Sequence, residues 1–238
     1  MAWQQRYLDR FYDRDKGWVD GTTRFHEVCA AAIPAGARIL EVGAGPSNKT
    51  SRYLAGLGEV HGIDLDADVL TNDALTTATV LDGSFPYEPG SFDACVSNFV
   101  VEHVAEPHQH LAEIARVLKP GAPYVLRTPN RWHYVYLVAS LTPHRLHLAL
   151  ANRLRNLPPN AHDPYPTVYA MNSRREVCRA AADAGMSVEL LQLIEPEPSY
   201  GLGSRLTFLP FVAYERLVNS SEMLSGLRST ILAVLTSD

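Results

Sequence analysis

Cysteine is scarce in this sequence: three in 238 residues, at positions 29, 95 and 178, with no CxxC pair. That argues against a disulfide framework or a structural zinc site and fits a reducing compartment. No apolar run reaches the ~18 residues of a spanning helix. The opening segment, from Met1 to Arg6, has no apolar signal core, so the expected location is the cytoplasm. Charge of one sign is also lacking. Lys and Arg number 21 against 26 Asp and Glu, for a formal net charge of -5. A basic footprint for a nucleic-acid backbone is therefore absent. There is no internal repeat and no low-complexity tract. What is present is apolar material, 46% of residues, enough for a sizeable core.

That apolar material is arranged in alternation. Residues 1–34 predict N-terminal helices, stopped by the Pro34-Ala35-Gly36 turn. Strands are expected at 38–42, 59–64, 77–81, 92–97 and 124–128. Helices are expected at 47–56, near 67–72 and at 107–118. This spacing predicts an α/β fold, a parallel sheet with helices on both faces. The alternation breaks after Pro129. Residues 129–172 hold Trp132 and the prolines 158, 159, 164 and 166, too much for a plain connector, and read as an ordered lid. A helix at 174–184, a strand at 187–194, an irregular second insertion at 195–225 and a strand at 229–235 complete the chain. The organisation expected is one domain: an N-terminal helical cover (1–34), a core (35–128), the lid (129–172) and a C-terminal part of the sheet (173–238).

The chemistry concentrates at strand ends. Gly43 and Gly45 follow the first strand and permit positive φ and close ligand approach. A dinucleotide fingerprint would place a third glycine at position 48, where this chain has Asn48, which counts against NAD or FAD. Glu41 is a charged residue inside an apolar strand, costly to bury unless a cationic group accompanies it. Asp64 ends the second strand, where a carboxylate can accept both ribose hydroxyls or cap the next helix. Asp82-Gly83 ends the third, as an adenine edge or a turn.

Taken in order, the segment Glu41–Gly45, then Asp64, Asp82-Gly83, the run from Phe92 to His103, and the run from Arg116 to Gly121 resemble the class I S-adenosylmethionine-dependent methyltransferases in their small "type 11" branch. The resemblance covers roughly residues 36–130. It implies a Rossmann-like, seven-stranded, mostly parallel sheet with an antiparallel last strand, and S-adenosyl-L-methionine as cofactor with S-adenosyl-L-homocysteine as product. Glu41, Gly43, Ala44 and Gly45 would surround the methionine end. Asp64 would hold the ribose, Leu65 would pack on adenine, and Asp82, Gly83 and Ser84 would form the adenine edge. Asn98 and Phe99 would face the transferred methyl. The chain departs from the family's first motif at Pro46-Ser47, which stands in place of its third glycine.

A sulfonium supplies its own reactivity, so the protein must orient a nucleophile, with a base where that nucleophile is a hydroxyl. The candidate bases are His103 after the fourth strand, His133 and Tyr134 after the fifth, and His162 in the lid. Tyr12 and Trp18 are candidates to cover the cofactor. The aromatic lid and the absence of a basic face favour O-methylation of a small-molecule or lipid-like acceptor. The apolar stripes at 136–157 and 206–217 leave peripheral membrane contact and a monomer or homodimer open. Alternative readings are methylation of nitrogen, carbon or sulfur, a non-catalytic binding module on the same fold, and an NAD-dependent oxidoreductase.

Overall fold

The computed structural model describes residues 3–136, 166–197 and 205–237. Two N-terminal helices, α1 (Trp3–Phe11) and α2 (Gly21–Ala32), precede β1 (Ala37–Val42). Then come α3 (Lys49–Ala55), β2 (Gly58–Asp64), a 3₁₀ turn (Ala67–Thr71), β3 (Thr77–Val80), β4 (Ala94–Asn98), a 3₁₀ turn (Val101–His103), α4 (Pro107–Val117) and β5 (Pro123–Pro129). After the lid the chain forms α5 (Arg174–Asp183), β6 (Met186–Ile194), α6 (Arg205–Asn219), a 3₁₀ turn (Glu222–Leu227) and β7 (Thr230–Ser237).

The strands form one sheet in the order 3-2-1-4-5-7-6, with helices around it. β1, β4 and β5 are buried along nearly their whole length because a parallel sheet is covered on both faces. The pairings β1–β2, β2–β3, β1–β4 and β4–β5 are parallel. The Gly121 N–H donates to Ser237 O (2.8 Å) before β5 begins, and the Asn130 N–H donates to Ser229 O (2.7 Å) just past its end. β7 therefore runs antiparallel to β5, as expected. Strand order reverses beside β1, which puts the carboxyl ends of β1, β2 and β4 at a topological switch point.

The segment expected to be irregular over 195–225 differs. Residues 205–219 form α6, with Phe208, Val212 and Glu215 buried at helical spacing. Pro210 sits inside this helix, a residue that usually argues against one; tertiary burial of the apolar face overrides it.

The described chain divides into two compact units, each taken by itself. The larger holds residues 25–129, 166–192 and 231–237, including nearly all of the sheet. The smaller holds residues 3–24, 130–136, 193–197 and 205–230. Its core packs Tyr12, Phe208 and Val212 against Tyr7, Leu8, Phe11 and Trp18. His162 and the apolar stripe expected at 136–157, apart from Tyr136, lie outside the described residues.

Candidate cofactor site

The turn after β1 is held from within. Gly43 and Gly45 have φ of +70° and +54°, a region that side chains rarely enter. A Cβ on Gly43 would lie 2.3 Å from Val100 Cγ2, so the glycine serves both conformation and space. The N–H groups of Gly43 and Ala44 donate to Ile63 O (2.8 and 3.2 Å), and that of Gly45 donates to Asp64 Oδ2 (2.9 Å). What this turn offers a ligand is close backbone approach rather than free amides.

Asn48 occupies the place of the missing third glycine and organises the turn. As N-cap of α3, its Oδ1 accepts from Thr50 N (2.8 Å) and Ser51 N (3.1 Å). Its Nδ2 donates to Ala44 O (2.8 Å) and Ser51 Oγ (2.9 Å). Asn72, fully inside, adds donations to Gly45 O (3.1 Å) and Ser51 Oγ (3.0 Å). Sequence reasoning missed both organising roles. A residue such as Asn48 directly before a helical pattern is a recognisable cap signal; Asn72 leaves no such signal.

Three acids stand at or just past the ends of neighbouring strands β1, β2 and β3. Glu41 is buried, and one oxygen, Oε2, accepts no hydrogen bond from any described residue. Burial pushes its carboxyl up to about 7, opposed by a hydrogen bond from Ser51 and assisted by the charge of Asp64. Asp64 accepts from Gly45 N at one oxygen and from Asp66 N (2.9 Å) at the other. Each oxygen keeps a lone pair, so two hydroxyls of a sugar remain acceptable partners. The helix-capping alternative falls instead to Asp66, which accepts from Asp68 N. Leu65 beside Asp64 is 71% exposed, an apolar face with no protein partner of its own size. Asp82, Gly83 and Ser84 are exposed, and the space beside Gly83 is open.

At the end of β4, Asn98 donates from Nδ2 to Thr50 Oγ1 (3.0 Å), and its buried Oδ1 has no described donor. Phe99 follows with φ +59°, an uncommon conformation for an aromatic residue, its exposed ring lying under the Arg127 guanidinium (4.6 Å). Strain of this kind collects at ligand sites. The unpartnered Glu41 and Asn98 oxygens are both acceptors on the β1 and β4 strands. An ammonium group matches that donor set, and the methionine end of S-adenosylmethionine carries one.

The candidate bases separate. His103 shares the larger unit with these strands and is held to Pro166 O through Nδ1 (3.0 Å). Next to it, buried Glu102 accepts from Thr128 Oγ1 (3.1 Å), and Asn172 donates to the same hydroxyl (2.7 Å). His133 and Tyr134 belong to the smaller unit. His133 is buried among the rings of Tyr134, Tyr136 and Tyr214, with Nε2 3.5 Å from Glu195 Oε2 in a geometry that makes no hydrogen bond. Burial lowers its pKa to about 4, so it is neutral near pH 7. Tyr12 and Trp18 are engaged in the smaller unit too. The Tyr12 hydroxyl donates to Glu215 (3.2 Å) and the Trp18 indole to Pro196 O (2.8 Å).

With that geometry in place, a methyltransferase domain family matches residues 40–126, the span that carries all but the N-terminal and lid candidates. Over that span the chain is similar to the methyltransferase domain family. Among relatives of this chain, a ubiquinone biosynthesis O-methyltransferase of Burkholderia lata is 32% identical over 134 residues, covering 52% of this chain and 53% of that protein. A demethylmenaquinone methyltransferase of Clavibacter sepedonicus is 31% identical over 120 residues, 47% of each. The chain thus spans about half the length of the curated relatives it matches. In fold it is similar to geranyl diphosphate C-methyltransferase of Streptomyces coelicolor A3(2), solved with S-adenosyl-L-homocysteine. That likeness has a TM-score of 0.57 and 19% identity and covers 91% of this chain and 77% of the other.

Proposed function

We propose that this protein transfers the methyl group of S-adenosylmethionine to a small, lipid-like acceptor, at oxygen. The observation that carries the cofactor half is the buried Glu41 oxygen without a donor, beside a turn whose glycines take positive φ. A lone carboxylate in such a place calls for a cationic hydrogen-bond donor, and a nicotinamide dinucleotide has no ammonium group to bring to it. Glu41, Asn98 and the turn at 43–45 would hold the amino-acid tail. Asp64 would take the ribose, and Leu65 with 82–84 the adenine. The cofactor supplies the electrophilic methyl carbon; the chain's own residues orient the tail and exclude water from it.

The acceptor half rests on different support. The two relatives described above are named for quinone biosynthesis, one of them for O-methylation. The segment 129–172 carries Trp132, Tyr134, Tyr136, Tyr165 and Tyr169, and the sequence has a formal net charge of -5. For oxygen attack the acceptor hydroxyl must lose a proton, and His103 lies in the same unit as the cofactor strands. His133 and Tyr134, four and five residues past β5, are the second choice of base.

Titration calorimetry with S-adenosylhomocysteine and with NAD tests the reading. Binding of the first alone is expected, with Asp64→Ala weakening it by about tenfold or more for the loss of hydrogen bonds to a charged acceptor. Absence of heat with S-adenosylhomocysteine on folded protein would overturn it. A panel of phenolic and quinol acceptors tests the second half. Turnover confined to RNA or protein would overturn that half alone.

A further inference from the structure

The first turn of α3 contains two hydroxyl residues, Thr50 and Ser51, both buried and neither belonging to any motif of the sequence. Thr50 is bonded to Asn98, and Ser51 stands beside Glu41. Ser51 Oγ receives N–H groups from Asn48 (2.9 Å) and Asn72 (3.0 Å). Both amides are fixed in orientation. Asn48 Oδ1 is occupied by the helix amides, and Asn72 Oδ1 by Ala74 N (3.2 Å). With two donors already on its oxygen, the Ser51 hydroxyl has its own proton to give, and it stands near enough to Glu41 to favour that group's charged form. Glu41 Oε2 is left without a donor among the described residues.

Thr50 acts in the same way on Asn98. Its Oγ1 lies 3.4 Å from His26 Nε2, and His26 is stacked flat on Tyr53 (4.2 Å between centroids). Held beside that ring, Thr50 Oγ1 accepts from Asn98 Nδ2 (3.0 Å). The carboxamide is thereby turned so that its oxygen, not its nitrogen, is the free end. Register puts the two free oxygens on one face. Glu41 faces Val96 across the parallel β1–β4 pair, and Asn98 is two residues further along β4.

We infer that Thr50 and Ser51 are positioning residues for the cofactor: their hydroxyls turn Asn98 and Glu41 so that two acceptor oxygens converge on the ammonium group of its amino-acid tail. The inference rests on the functional reading above and adds to it a source of selectivity for the tail. Neither hydroxyl touches the ligand. Without Thr50 the amide of Asn98 is free to flip and present N–H groups to a cation. Without Ser51 the Glu41 carboxylate loses its tether.

Two ligands separate this role from a merely structural one. S-adenosylhomocysteine carries the tail; 5′-methylthioadenosine keeps the nucleoside and sulfur and lacks it. Calorimetry on wild type, Thr50→Val, Thr50→Ser and Ser51→Ala is the test. The valine and alanine variants are expected to bind S-adenosylhomocysteine about tenfold more weakly, while 5′-methylthioadenosine affinity moves by less than about twofold. Thr50→Ser should restore the wild-type ratio, since it returns the hydroxyl. An equal loss for both ligands, no loss for either, or failure of the serine to rescue would overturn the inference. Wild-type protein that binds both nucleosides equally would overturn it too, while leaving the functional reading intact. Wild-type protein that binds neither would remove the reading itself.

Discussion

A carboxyl group taken out of water resists ionisation until a cation arrives with it, and Glu41 is in that position. Its folded pKa of about 7 stands above the unfolded value of about 4.3. Between those values the folded protein retains a proton that the unfolded chain releases. Glu41's contribution to stability is therefore fully present below about pH 4 and lost as pH rises through 7. A ligand ammonium acts in the opposite direction by favouring the charged form. Affinity for S-adenosylhomocysteine should accordingly rise between pH 5.5 and 8, with proton release on binding, which calorimetry in buffers of different ionisation enthalpy would measure. Glu41→Gln should flatten that profile, weaken binding by about tenfold, and leave the apo protein at least as heat-stable as wild type at pH 8. Gly43 gives a steric prediction. In Gly43→Ala the new methyl meets Val100 at a positive φ, so a loss of about 2 kcal/mol or more in denaturant unfolding is expected, along with lost binding.

At the scale of elements, α3 has only seven residues, too few to be stable alone, so its caps matter. Asn48 closes its amino end and also ties down the glycine turn at Ala44 O. Asn48→Ala should cost about 1–2 kcal/mol in denaturant unfolding and reduce cofactor affinity with it, because one side chain serves both helix and turn. Elements were legible wherever period and punctuation agreed. β1, β2, β4, β5, α4 and α5 fall within two residues of the expected bounds, since their apolar runs end at Gly, Pro or a capping side chain. α6 was not legible. Pro210 and the neighbouring irregular stretch mask a helix whose order comes from burying Phe208 and Val212.

At the scale of the whole molecule, buried titratable groups set opposite slopes of stability with pH. His110 and His133 are lowered to about 4 by burial. Their contribution is complete above the unfolded value of about 6.5 and lost as pH falls towards 4. Glu41 and Glu195, raised to about 7, gain over nearly the same interval as pH falls. Thermal unfolding should therefore change little between pH 6.5 and 4.5. His110→Gln should tilt it, raising the midpoint at pH 4.5 relative to that at pH 7.5. No described helix is long and apolar enough to cross a membrane, consistent with the absence of long apolar runs in the sequence.

The sequence by itself determined the alternating α/β order and the acids at three strand ends, because strand periodicity, glycine turns and buried charge are local signals that residue spacing preserves. Only the tertiary structure decided which oxygens of Glu41 and Asn98 are left without donors, that Thr50, Ser51 and Asn72 orient them or the turn beside them, and that His133 is sealed among aromatic rings. Those facts depend on hydrogen bonds and packing between residues tens of positions apart, which arise only when the chain closes on itself and water is excluded.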